Sequence, residues 1–390
     1  MTLKLNRLID DPVRAARAIA PLARALRDET EHQRRLPPPV VDALVAAGLF
    51  RMWVPRELGG AEADPRTLVE AVEALSAADG AAGWCLMIAA GTSLSSGYLP
   101  SAGAREIYGD PASIVGGRLV ASGRATRVDG GYRVSGRWGF NSGIDHATWL
   151  IGGCVLWEGD RVLLRPNGAP AMRYMFFPKA ACDVIDTWSV GGLRGTGSHD
   201  FTVEDALVPD ERSFSFDEPC LRAPLYRLPP FALLAPAFSA VALGIARGAI
   251  DALVELATHK APCGSGALLR DRASAQAAVA QAEAQLRSAR LFLLDAVDVA
   301  WGDTLAGRPL TLEQRALLRL AATHASTSAA HAVDLMYAAG GASSIYTTSS
   351  LERAFRDVHT ATQHVLGQSQ NYEAAGRVLL GLEAKITPPL

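Results

Sequence analysis

Three short stretches carry side chains able to grip a flat ligand or move a proton. The first is Trp138-Gly139-Phe140-Asn141-Ser142-Gly143, with Asp145-His146 close behind. Aromatic rings, a hydroxyl and glycines at a strand end can flank a planar ligand and hydrogen-bond its edge. The same residues also suit a plain turn at the rim of a barrel. The second is Arg194-Gly195-Thr196-Gly197-Ser198. Its hydroxyls and free backbone N–H groups can host a ligand or an anion, or make a wide loop between strands. The third ends in Thr360-Ala361-Thr362-Gln363-His364. Its histidine is either a packed core or interface residue or a general base, for which an ordinary pKa of about 6.5 is suitable.

Other chemistries are excluded. There is no GxxxxGK[ST] loop, no GxSxG elbow and no HExxH. The glycine-rich Gly191–Gly197 run is not GxGxxG and opens no helix, which argues against a Rossmann unit. His359 and His364 do not share a helix face, and no carboxylate completes a ligand set, so no metal site is expected. A formal charge of −2 over 390 residues gives no global field for nucleic acid or an anionic membrane. The five cysteines form no CxxC pair, which fits a reducing compartment, and a cytoplasmic location is expected. Met1 to Asp11 carries no apolar signal-like run. The apolar run Phe231–Ala246, broken by Pro236, falls short of the roughly 20 residues of a bilayer span.

The elements that must position these stretches fall into three blocks. Residues 1–112 read as helical: Pro37–Pro39 opens a helix that stops at Gly48, Pro65–Ala78 carries Leu68, Val72 and Leu75 on one face, and Gly83–Tyr98 follows. Residues 113–215 alternate and are rich in Gly, Val and Thr, with a hairpin at Asp129-Gly130. No helices interleave with these strands, so a small barrel or sandwich is expected. From 225 to 390 the period returns to 3.6 in four long segments, Phe231–His259, Arg270–Gly302, Thr311–Gly340 and Ser349–Leu382, which predict an antiparallel bundle. Small residues on their faces suit close packing between subunits, so a homo-oligomer is expected.

Helical domain, β domain and four-helix bundle together resemble the acyl-CoA dehydrogenase fold over nearly the whole chain. The landmarks are Pro55 to Gly60 (PRELGG), Gly130 to Trp138 (GGYRVSGRW), Val190 to Ser198 (VGGLRGTGS) with Val208-Pro209 following, and Leu351 to Asp357 (LERAFRD). In detail the chain is similar to the two-component flavin-dependent monooxygenases on that fold. Dehydrogenases of the fold keep a glutamate base where this chain has His364-Val365-Leu366, and an Arg-x-x-Phe-Gly element for the adenosine half of FAD where it has His259 to Gly264 (HKAPCG). Thr92 stands where aromatic hydroxylases often place a histidine. That argues against phenol hydroxylation and for another acceptor, such as a quinone-type polycycle, an amine or a sulfur heterocycle.

The resemblance implies an oxygenase component that takes reduced FMN, with FAD possible, from a separate NAD(P)H:flavin reductase. It would use O2, through a flavin C4a-hydroperoxide, to hydroxylate or N- or S-oxidise a small aromatic or polycyclic substrate. It assigns Ser142 to flavin N5 and His364 to a proton, either taken from the substrate or kept on the peroxide. Trp138 and Phe140 would wall the ring, and Ser122, Gly123, Thr196 and Ser198 would line its edge or ribityl chain. Trp84, Thr92 and His146 would line the substrate pocket, and the assembly would be a homotetramer. The competing expectation is an FAD-dependent acyl-CoA dehydrogenase with Glu373 or Glu352 as base.

Overall fold

The computed structural model describes residues 11–264, 266–386 and 390; the segment read as lacking a signal-like run lies mostly outside them. The N-terminal block holds helices α1 (Pro12–Ala25), α2 (Arg27–Gln33), α3 (Pro38–Ala46), α4 (Pro65–Ser76), α5 (Gly80–Thr92) and α6 (Ser101–Tyr108). Their starts follow capping chemistry. Asp64 accepts from the Thr67 N–H at 2.9 Å, and Asp79 from the Ala81 and Ala82 N–H groups at 2.8 and 3.2 Å. The Asp79 cap starts α5 three residues before the expected Gly83. The expected stripe of α4 is real: Leu68, Val72 and Leu75 are all buried.

The middle block is one mixed sheet of β1 (Val115–Val128), β2 (Gly131–Trp138), β3 (Trp149–Glu158), β4 (Arg161–Val162), β5 (Met172–Pro178), β6 (Asp183–Ile185), β7 (Asp200–Pro209) and β8 (Ser213–Phe214). Its order is β6-β7-β2-β1-β3-β5-β8, with β4 paired to β3. The hairpin forms at Asp129-Gly130, where Gly130 takes a φ of +72° and Val128 pairs with Gly131. The sheet curls around its own core of Val134, Trp138, Leu150, Met175, Phe177 and Phe201.

After the short α7 (Pro224–Arg227), the bundle holds α8 (Pro230–Ala257), α9 (Ala273–Leu305), α10 (Leu312–Gly340), α11 (Ser350–Ala361) and α12 (Gln370–Leu379). Thr311 and Gln314 close a capping box at α10. Helix α8 is long and apolar enough to cross a membrane, yet 83% of its most apolar window is buried inside the fold. The expected fourth segment, Ser349–Leu382, is corrected: it is two helices separated by residues 362–369, where the turn Val365–Gly367 sits. At Gly367 a Cβ would lie 3.0 Å from the Phe238 ring, so the chain passes close against α8 there. Arg353 pairs with Asp28 and Glu31, and Arg356 with Glu31 and Glu352, tying α11 to α2.

Candidate active site

The break in the last segment is where His364 sits. Its backbone is extended (φ −69°, ψ 140°), and its Nδ1 accepts from the Leu366 N–H at 3.4 Å. The ring stacks on Phe238 of α8 with centroids 4.4 Å apart and meets Trp84 of α5 edge-on at 6.0 Å. Burial, then the cations of Arg118 and Arg319, push its pKa down to about 4. The ordinary value of about 6.5 expected from residue type is therefore corrected. The ring is neutral at pH 7, and with Nδ1 accepting, the assigned tautomer carries its proton on Nε2.

Next to Trp84 runs a chain of hydroxyls. Trp84 Nε1–H donates to Ser142 Oγ at 2.8 Å. Ser142 Oγ lies 2.7 Å from Ser198 Oγ, and Ser198 Oγ 2.7 Å from Thr196 Oγ1. Thr196 Oγ1–H donates to the Leu193 carbonyl at 2.8 Å. The loop that supplies Thr196 and Ser198 is held in an uncommon shape, because Leu193 is left-handed at φ +50°. Its N–H donates to Asp357 Oδ1 at 2.6 Å, and its carbonyl also accepts from Trp188 Nε1–H at 3.1 Å. Gly192 lets the loop approach α11, since a Cβ there would lie 2.1 Å from the Arg356 carbonyl oxygen. Burial raises Asp357 to about 7, and raises Asp79, the α5 cap, to about 6. Both acids thus sit behind the site, one holding its loop and one its helix.

Of the residues read as ring walls, Phe140 fits. It is 68% exposed, left-handed at φ +61°, edge-on to Trp188 at 6.1 Å and capped by the Arg118 guanidinium at 5.0 Å. Trp138 is a correction. It is fully buried in the sheet core, stacked on Phe201 at 4.8 Å, with Nε1–H donating to the Gly153 carbonyl at 2.8 Å. Gly123 is corrected with it, because a Cβ at that position would lie 2.3 Å from the Trp138 ring. Ser122 is exposed on β1.

Among the pocket residues, Trp84 faces His364. Thr92 lies two turns further along α5, its hydroxyl within 3.0 Å of the Ile88, Ala89 and Val115 carbonyls. His146 lies half-buried against Phe50, with ring centroids 5.8 Å apart. The alternative bases are elsewhere: Glu352 is held by Arg356 at 2.6 and 2.8 Å, and Glu373 is exposed on α12. Sequence reasoning missed Phe238, Trp188 and Arg118, which no local pattern marks. Asp357 was visible only as part of a family landmark. No cluster of three His, Cys, Asp or Glu side chains able to hold a metal occurs among the described residues.

The donor set fits a flavin. A buried hydroxyl with a spare lone pair and a desolvated imidazole both meet Trp84, and the exposed Phe140 ring, two residues from that hydroxyl, packs on Trp188, which holds the same loop. The acyl-CoA dehydrogenase N-terminal domain matches residues 7–107 and the acyl-CoA dehydrogenase C-terminal domain residues 237–369. Indole-3-acetate monooxygenase of Pseudomonas putida is 36% identical over 92% of this chain and 90% of its own. The oxygenase subunit HsaA of Rhodococcus jostii, a flavin-dependent monooxygenase, is 30% identical over 89% of this chain and 92% of its own. XiaF from Streptomyces, solved with FADH2 and glycerol, shares the fold with a TM-score of 0.89 at 26% identity, covering 99% of each chain. Sequence and fold agree with these relatives, and the chain belongs to the flavin-dependent monooxygenases built on the acyl-CoA dehydrogenase fold.

Proposed function

We propose that this chain is the oxygenase component of a two-component system. A separate NAD(P)H:flavin reductase supplies reduced flavin, and one atom of O2 is placed on a small aromatic or polycyclic substrate. The product arises by hydroxylation or by N- or S-oxidation. The observation that carries this reading is a neutral imidazole and a chain of hydroxyls meeting at Trp84, while the acids a dehydrogenase would need are paired or exposed elsewhere. The oxygenase-subunit relative supports the two-component arrangement.

Reduced flavin, when bound, supplies the electrons that activate O2. Ser142, Thr196, Ser198 and Phe140 would hold it. Trp84 fixes the Ser142 hydroxyl. Phe238 and Trp84 hold the His364 ring and shed water around it, which strengthens every polar contact made there. His364 holds a proton at Nε2 and offers it as a hydrogen-bond donor to the reacting oxygen. Taking a proton from the substrate would instead place an imidazolium beside Arg118 and Arg319, which the site disfavours. Arg118 also supplies charge for an acidic aromatic substrate, a reading supported by the indole-3-acetate-acting relative.

FMN is the flavin we propose, because the adenosine-binding Arg-x-x-Phe-Gly element is missing from residues 259–264. FAD is the second reading, favoured by the FADH2 in the Streptomyces relative. A cytoplasmic homotetramer completes the proposal. It is supported by five free cysteines and by apolar side chains left exposed on α9, Leu291, Val299 and Leu305.

One anaerobic experiment tests the function. The protein is titrated with reduced FMN and with reduced FAD, then mixed with oxygenated buffer and an aromatic acid. Product formation with little H2O2 release is expected. Bleaching of tightly bound FAD by an acyl-CoA, with no oxygenated product, would establish the dehydrogenase instead. Sedimentation velocity reads the oligomer.

A further inference from the structure

The hydroxyl chain beside Trp84 has only one consistent direction. Three contacts join Ser142, Ser198, Thr196 and the Leu193 carbonyl, at 2.7, 2.7 and 2.8 Å. Three hydroxyl hydrogens are available to fill them. A carbonyl accepts and never donates, so Thr196 must donate to Leu193. Ser198 must then donate to Thr196, and Ser142 to Ser198. At the other end, the Trp84 indole N–H donates and never accepts, and it takes one lone pair of Ser142. All three hydroxyls are buried, so turning one round would leave an oxygen–oxygen contact without a hydrogen in a water-poor site.

From this we infer that Ser198 and Thr196 are positioning residues that make Ser142 a hydrogen-bond acceptor, so that the site selects a ligand edge bearing an N–H over one bearing a bare nitrogen. The inference rests on the flavin reading above. A flavin carries an N–H at N5 when reduced and a lone pair there when oxidised. Ser142 has one lone pair left for the first and no hydrogen left for the second. The anchor of the chain is rigid: Leu193 is clamped between Asp357 Oδ1 on its N–H and Trp188 Nε1–H on its carbonyl. The polarity is thus set and delivered within the β block, with Asp357 of α11 holding its far end.

The test compares anaerobic dissociation constants for reduced and oxidised FMN, and likewise FAD, in wild type, Ser198→Ala, Thr196→Val and Thr196→Ser. Wild type is expected to bind the reduced form at least about tenfold more tightly, the value of one hydrogen bond. The bound two-electron couple then moves up by about 30 mV for each tenfold of preference. In Ser198→Ala the Ser142 hydrogen is released and can turn to an oxidised flavin, so the preference falls by about tenfold, mainly through tighter binding of the oxidised form. Thr196→Val lowers it in the same direction, and Thr196→Ser restores it. Equal binding of both redox states by wild type, or an unchanged ratio in Ser198→Ala, overturns the inference. If wild type binds reduced flavin and oxygenates a substrate without any such preference, only this inference falls. If it binds neither redox state, the flavin reading falls as well.

Discussion

Two half-buried histidines in this fold share a lowered pKa and differ in what their rings reach. His146 and His364 are both pushed down to a pKa of about 4, each mainly by burial. His146 lies half-buried against Phe50, beside Gly143 and near the Lys179 ammonium, and its Nδ1 has no hydrogen-bond partner among the described residues. His364 stands at a helix break, half-buried, between Phe238 and Trp84 and one indole away from the hydroxyl chain. Desolvation lowers a histidine whether or not chemistry follows, so the shift does not identify the site. What the imidazole can reach does.

The largest expected effect separates the two directly. His364→Ala should lower product formed per O2 consumed by about a hundredfold, with H2O2 making up the difference, while reduced-flavin binding stays within about threefold. His146→Leu should keep that yield within about twofold. Equal losses in both variants would mean that packing, not proton placement, explains the effect of His364.

Next comes the same contrast inside one strand end. Trp138 and Phe140 are two residues apart, and alternation places both on one face. The left-handed φ of Phe140 breaks that alternation, and the ring swings out while Trp138 fills the sheet core. Trp138→Ala should cost about 3–5 kcal/mol in denaturant unfolding. Phe140→Ala should cost under about 1 kcal/mol and instead weaken flavin binding. The wrong role assigned to Trp138 has this physical source. The room for its indole is made by Gly123 on β1, Gly136 on β2 and Gly152 on β3, which only register brings together. Block order, the Asp129-Gly130 hairpin and the capping of α10 were legible because each is local. Thr196 and Ser198 were legible as types within a landmark, and Ser142 and His364 as types in short stretches outside one. Their partners Phe238 and Trp188 were not, and Asp357 was legible only as a landmark residue without its contact, because packing of distant segments creates those contacts.

pH sharpens the comparison further, with two opposite signs. The folded chain holds protons on His146 and His364 more weakly than the unfolded chain does. Their contribution to stability is full above about pH 6.5 and is lost as pH falls toward 4. Asp79 and Asp357 are raised to about 6 and about 7, so their contribution is present below the ordinary carboxylate range and is lost as pH rises through those values. His146→Leu should therefore flatten the fall in Tm between pH 6.5 and 4.5, and Asp357→Asn the fall between pH 5 and 8, each by roughly 2 °C. An unchanged slope in both variants would show that these groups stay as they are in the unfolded chain.

The smallest effect tests Arg118, which with Arg319 lowers His364 and not His146. Arg118 donates to the Gly139 carbonyl at 2.9 Å, lies over Phe140 and adds to the lowering of His364, whereas Lys179 does this for His146. Arg118→Ala should raise KM about tenfold for an aromatic acid and leave an uncharged indole within about twofold, since a charge-assisted contact is lost only for the acid. Because burial is the larger cause at His364, its titration should move up only part of the way toward the ordinary value, and that of His146 should not move. Imidazole proton titration by NMR reads both rings in one sample. A shift at His146 as large as at His364 would mean that Arg118 acts through the fold rather than directly on His364, and the two sites would no longer be electrostatically separate.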